Sequence, residues 1–199
     1  MSAETFIALL GFALVASMTP GPNTMMLLAS GVNFGFRRTV PHMVGITVGF
    51  AALILAIGFG LGSVFQLYPA LQLVLKLAGG AYLVYLAIRI AMTRTISGKG
   101  KGAATPLTFA QAALFQWVNP KAWMMTVAAM AIYTDMAMPV RTTLIVAAVF
   151  LFACLPSVTA WAGFGMALRG YLSDPVRLRV FNLAMGALLL LSLIPVLAA

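Results

Sequence analysis

Apolar residues gather into six long runs, at roughly 4–33, 39–65, 69–92, 107–133, 142–168 and 176–198. A bilayer core takes about 20 apolar residues per helix, so each run predicts one membrane span. Turn-forming and polar residues fall between them: NFGFRR, QLYP, TRTISGKGKGAATP, YTDMAMPVR and RGYLSDPVR. No soluble domain fits in such short connections. Two of the runs are themselves interrupted, the first by TPGPN (19–23) and the fourth by NP (119–120). Proline inside a helix removes one hydrogen bond and clashes with the carbonyl four residues earlier, so each is expected to break its helix.

Composition agrees with the pattern. The 199 residues are 63% hydrophobic and 8% charged, against about 25% charged in a soluble domain. That is too little charge to cover a water-facing surface, and an integral membrane protein follows. Twelve Lys and Arg oppose three acids, Glu4, Asp135 and Asp174. In a soluble protein a net charge of +9 would point to nucleic acid; here it is read as membrane orientation, with no nucleic-acid partner. Arg37, Arg38, Arg89, Arg94, Lys99, Lys101, Arg169, Arg177 and Arg179 flank alternate loops, and the opposite loops hold only Arg141. The positive-inside rule puts the loaded loops in the cytoplasm and both termini outside. If the broken segments were re-entrant, each half would cross twice and the 169–179 loop would lie outside, against the charge pattern.

Three further readings are narrowed by the inventory. MSAETFIALLGFALVA has Glu4 where a signal peptide has a basic region, so a retained first segment is expected. SGKGKGA (97–103) lacks the spacing of a phosphate loop and reads as a basic linker. One cysteine (Cys154), one histidine (His42) and no clustered carboxylates leave nothing with which to assemble an enzyme, a metal centre or a cofactor site.

The two halves resemble each other. Gly58-Phe59-Gly60 matches Gly163-Phe164-Gly165, Pro69 matches Pro175, and KLAGGAYL (76–83) matches NLAMGALL (182–189). Thr19-Pro20 pairs with Asn119-Pro120. The chain divides into a three-helix repeat at 1–94, a basic cytoplasmic linker at 95–106 and a second repeat at 107–199. Three crossings per copy turn the second upside down, giving an all-α fold of six transmembrane helices in two inverted repeats. Secondary transporters use that plan, with substrate held between the copies.

The breaks carry the candidate chemistry. Pro20 and Pro22 free the carbonyls of Ala16 and Met18, and Gly21 lets the chain turn between them. Freed backbone groups are tolerated at membrane depth only where protein or a water-lined cavity satisfies them. A helix restarting there presents the amides of Asn23, Thr24 and Met25 to an anion. In the second half Asn119 suits an N-cap and Pro120 the first helical position. Lys121 adds a full charge, which costs about 2.5–3.5 kcal/mol at the membrane midplane. A ligand carboxylate at both breaks would offset these costs. The plainer alternative is two packing kinks with Lys121 snorkelling to an interface. Gln116 is expected to line the pathway or bond a neighbouring helix, as is Gln111, and Thr24 to contact substrate or its own helix. His42 is read as a titrating gate or an interfacial histidine, and Asp135 as a second proton-linked candidate. Gly45/Gly49 and Gly31/Gly35 form GxxxG pairs expected to pack helices closely.

TPGPN (19–23), GFRR (35–38), KLAGGAYLVYLA (76–87) and FQWVNPKAW (115–123) together resemble the LysE/RhtB family of bacterial amino-acid exporters, over nearly the whole chain. The resemblance implies export of an amino acid or close derivative across the bacterial cytoplasmic (inner) membrane, driven by the proton gradient. It also implies that Pro20, Gly21, Pro22, Asn119, Pro120 and Lys121 form the conduit; Thr19, Asn23, Thr24 and Gln116, beside the breaks in the sequence, complete the expected substrate-binding set. An exporter of Lys or Arg would be expected to hold a buried acid. The second span, TVPHMVGITVGFAALILAIGFG, has none, which favours a neutral substrate of the homoserine, threonine, cysteine, O-acetylserine or branched-chain type. An anion-selective channel or another small-solute or metal exporter on the same scaffold is the alternative. The partners expected are the substrate, the bilayer and a further copy of the chain.

Overall fold

The computed structural model describes residues 1–62, 67–96, 105–135 and 137–194. The basic segment 97–103, with Lys99 and Lys101, lies outside them. Among the described residues the chain is all helix and turn, with no strand. Ser2 caps α1 (Ala3–Met18) by accepting from the Thr5 amide at 3.2 Å. After the TPG interruption, α2 (Pro22–Phe34) begins with Pro22 as its first residue. Gly35, at φ 81°, ends it and turns the chain into α3 (Phe36–Ala56), a left-handed conformation that favours glycine. A π-helical turn, Ile57–Leu61, extends α3. Then come α4 (Pro69–Ala91), α5 (Phe109–Phe115), a 3-10 turn (Gln116–Val118) and α6 (Pro120–Tyr133). The chain ends in α7 (Pro139–Leu168) and α8 (Pro175–Leu191).

Among the described residues three helices, Phe36–Leu61, Leu73–Ala91 and Pro139–Leu168, are long and apolar enough to cross a membrane. The bent pair α1 and α2, set at 55° to each other, makes a fourth if it counts as one span. The fourth predicted run is divided into the seven residues of α5 and the fourteen of α6, about 10 and 21 Å long. The sixth becomes a 17-residue α8.

Helix α7 is the hub, packing on α1, α2 and α3; α3 also packs on α5, and α4 on α8. Glycines set the closest crossings. A side chain at Gly31 would meet the backbone of Ala162 and Gly165, and one at Gly49 the backbone of Ala113, so helices approach with backbones in contact. Gly35, expected to pack as Gly31 does, is the turn residue instead. One core cluster gathers Leu27, Ile46, Leu83, Phe115 and Leu189; another gathers Leu9, Phe50, Leu53 and Phe150. Outward-facing Val15, Leu77 and Val180 are each more than 60% exposed, an apolar coat suited to acyl chains rather than water.

Candidate functional site

The break between α1 and α2 is built from satisfied carbonyls. Pro20 and Pro22 have no N–H to give, so the end of α1 must find donors elsewhere. The Thr19 hydroxyl donates to Ala16 O at 2.8 Å, the Ser157 hydroxyl to Ser17 O at 2.7 Å, and the Trp161 indole N–H to Met18 O at 3.2 Å. Lys121 supplies the rest. Its Nζ donates to Thr19 O at 2.5 Å, to Thr19 Oγ1 at 2.8 Å and, at 3.4 Å, to Pro20 O. A cation thus sits at the negative end of the α1 dipole, where it is favoured. The two breaks, about a hundred residues apart in sequence, are in direct contact: a Cβ at Gly21 would stand 2.7 Å from Lys121 Cδ. Gly21 itself is extended, at φ −179°, so closeness to Lys121 and not backbone strain is what requires a glycine.

The restart of α6 follows its sequence signals. Asn119 is the N-cap, its side chain accepting from the Lys121 amide at 3.2 Å, and Pro120 is the first helical residue. At the start of α2 the amides are not all open. Met25 N–H donates to Gly21 O at 3.0 Å, which corrects its place among the free donors; Asn23 and Thr24 keep the first-turn amides that lack an intrahelical acceptor. The Thr24 hydroxyl accepts from Gly21 N–H at 2.8 Å and donates to Gly21 O at 2.9 Å. It caps its own helix.

Between the breaks lies a partly open cleft. Gly21, Asn23, Thr24, Gln116, Asn119 and Lys121 line it, with Ser17 and Ser157 beside them and Leu27, Ile46, Phe50 and Met125 as apolar walls. Asn23 and Gln116 lock across it, Asn23 Nδ2 donating to Gln116 Oε1 at 2.7 Å and Gln116 Nε2 to Asn23 Oδ1 at 3.2 Å. Ser17 Oγ is buried there with no hydrogen-bond partner. Among the described lining residues Lys121 carries the only charge.

Pro22 and Pro120 do not line the cleft; they start the helices that do. Thr19 and Pro20 meet it through Lys121. Asp135 lies apart in the exposed α6–α7 loop, where its carboxylate accepts from Ala137 N–H at 2.9 Å. His42 is buried on α3 at a second cavity. Sequence reasoning missed Ser17, Ser157 and Trp161, which close the break. Serines inside apolar runs, one next to the in-helix Pro156, were the available signal.

The family model described as LysE type translocator matches residues 14–193. Cysteine/O-acetylserine efflux proteins of Escherichia coli K12 and of Shigella flexneri serotype 5b are each 35% identical over 111 residues, 55% of this chain and 55% of theirs. The chain thus matches about half the length of these curated relatives. No solved structure matches it. With bent and apolar helices, a charged cleft between two helix breaks and a family match over residues 14–193, this protein belongs to the LysE type translocator family, membrane transporters rather than enzymes.

Proposed function

We propose that this translocator exports a neutral amino acid or close derivative, of the cysteine and O-acetylserine type, from the cytoplasm by alternating access. The observation that carries the reading is Lys121, whose ammonium joins the α6 start to the α1–α2 break at the wall of the cleft. A substrate α-carboxylate would take over this ammonium with the first-turn amides of Asn23 and Thr24. Ser17, Asn23, Gln116 and Asn119 offer neutral acceptors for the α-ammonium. The lining includes no acid among the described residues, consistent with an uncharged side chain, and the relatives named above are efflux proteins for such compounds. The proton gradient as energy source follows from the family resemblance.

The helix contacts support the inverted repeat of residues 1–94 and 107–199. First helices pack on second helices of the opposite half, α2 on α7 and α5 on α3, while α3 meets α7 and α4 meets α8. Pro69 and Pro175, matched in the repeat, both open their helices. A pseudo-twofold relation would produce this exchange. The halves differ where Gly60 kinks the π-helical turn at φ 109° and its counterpart Gly165 stays within α7. On this arrangement six segments span, the basic loops face the cytoplasm and both termini lie outside.

The test is counterflow in proteoliposomes. Internal O-acetyl-L-serine or L-cysteine should stimulate uptake of the labelled compound, saturably. Flux that is unsaturable and equally fast for chloride would mark an anion pore and refute the carrier.

A further inference from the structure

A second, partly open cavity lies between α2, α3, α4 and residues 105–107. Its buried polar side chains are almost all committed. Ser30 and Thr39 share a hydroxyl bond at 2.9 Å, Asn33 exchanges amide bonds with Asn182 at 2.9 and 3.1 Å, and Thr93 Oγ1 donates to Arg89 O at 2.9 Å. His42 is the exception. It is 1% exposed, and neither Nδ1 nor Nε2 has a hydrogen-bond partner. A neutral imidazole presents one donor and one acceptor, and leaving both unmade in a buried position is costly. Arg89 lines the same cavity, donating through Nη2 to Thr105 O at 2.8 Å; its five-donor fork has capacity beyond that bond.

One class of ligand answers all three groups. A zwitterionic amino acid supplies a carboxylate for the guanidinium and the imidazole N–H, and an ammonium for the imidazole lone pair. The two cavities are also consecutive along the same helices. Met26 lines this one and Leu27 the cleft; on α3, His42 lines this one and Ile46 the cleft, one turn or about 6 Å further on. Arg37 and Arg38 at the start of α3, and Arg94 beyond α4, place this cavity at the basic-loop end.

We propose that the His42–Arg89 cavity is a second binding station for the zwitterionic amino acid, on the basic-loop side of the central cleft. This rests on the amino-acid exporter reading for its ligand, and its test is separate from transport.

His42 is the sole histidine, so protein labelled with ¹⁵N-histidine, in nanodiscs, reports on this cavity alone. Titration with O-acetyl-L-serine should shift the imidazole signals saturably, whereas propionate or propylamine at equal concentration should not. The shift should persist in Lys121→Met, and Arg89→Gln should weaken the response about tenfold. Arg89→Lys, keeping the charge, should lose less, and monodispersity of each variant checks folding. No saturable shift in the wild type, an equal response to propionate, or loss of the shift in Lys121→Met overturns the station. Failed counterflow alongside a saturable shift would instead overturn the exporter reading and leave the site standing.

Discussion

Replacing Lys121 by methionine separates the two things its ammonium does. In folding terms the change removes two short hydrogen bonds, at 2.5 and 2.8 Å, and one long one at 3.4 Å. Bonds from a charged donor contribute about 1.5–3 kcal/mol each, giving roughly 3–6 kcal/mol for the short pair as an upper limit, less because the group is partly solvated. Removing the charge also relieves the roughly 2.5–3.5 kcal/mol cost of holding a cation at membrane depth. The two nearly cancel, and Lys121→Met should fold within about 2 kcal/mol of wild type. Transport has no such compensation. Loss of one charge-assisted contact to the carboxylate, about 1.5–3 kcal/mol, corresponds to a kcat/KM about ten- to a hundred-fold lower. Counterflow per mole of monodisperse protein, with a thermal-shift measurement beside it, reads both quantities. Export within twofold of wild type would refute the role given to Lys121; a large loss of stability with normal export would make it a structural latch alone.

Three further outcomes follow from particular contacts. Gly21→Ala is conformationally permitted but sets its methyl 2.7 Å from Lys121 Cδ, so counterflow should fall while thermal stability changes by under about 1 kcal/mol; a double variant with Lys121→Met should fall no further than Lys121→Met alone. Asn33→Leu leaves the buried Oδ1 of Asn182 without its donor, while Asn182 Nδ2 keeps its 2.8 Å bond to Thr93 O, and should cost about 1–3 kcal/mol, read in chemical denaturation. Gly49→Val drives a side chain into the Ala113 backbone, 2.5–2.6 Å away at the first methyl position, and should destabilise by about 1–3 kcal/mol, read as a lower melting temperature in detergent.

The parts of the site legible in the sequence are those governed by local chemistry. Proline at 22 and 120 announces two helix starts, and Asn119 announces a cap, because these depend on residues within one turn. Helical character follows from apolar run length, and Asn119-Pro120 divides the fourth run into helices of seven and fourteen residues joined by a 3-10 turn. What was not legible is pairing at a distance. Asn33 with Asn182, Asn23 with Gln116 and Ser157 with Ser17 O are separated by 93–149 residues, and an isolated polar residue in an apolar run does not name its partner. His42 and Asp135 looked alike as proton-linked candidates; only packing separates a buried imidazole without partners from a carboxylate in an exposed loop.

The bonds of Lys121 bear on how binding would drive the carrier. In the state observed its ammonium holds the carbonyls that end α1, and so joins the angle between α1 and α2 to the start of α6. A carboxylate is a better partner for an ammonium than a neutral carbonyl. On the proposed reading a bound substrate therefore takes the ammonium and leaves Thr19 O and Pro20 O without a donor. Those carbonyls must then reach water or a different donor, and reaching either changes the 55° bend. A ligand shifts a conformational equilibrium only by its differential affinity for the two states, and here the difference has a physical source: the same three donor hydrogens cannot serve both the hinge carbonyls and the carboxylate. The aqueous side toward which the hinge opens should then depend on occupancy of the cleft, which is the requirement of alternating access.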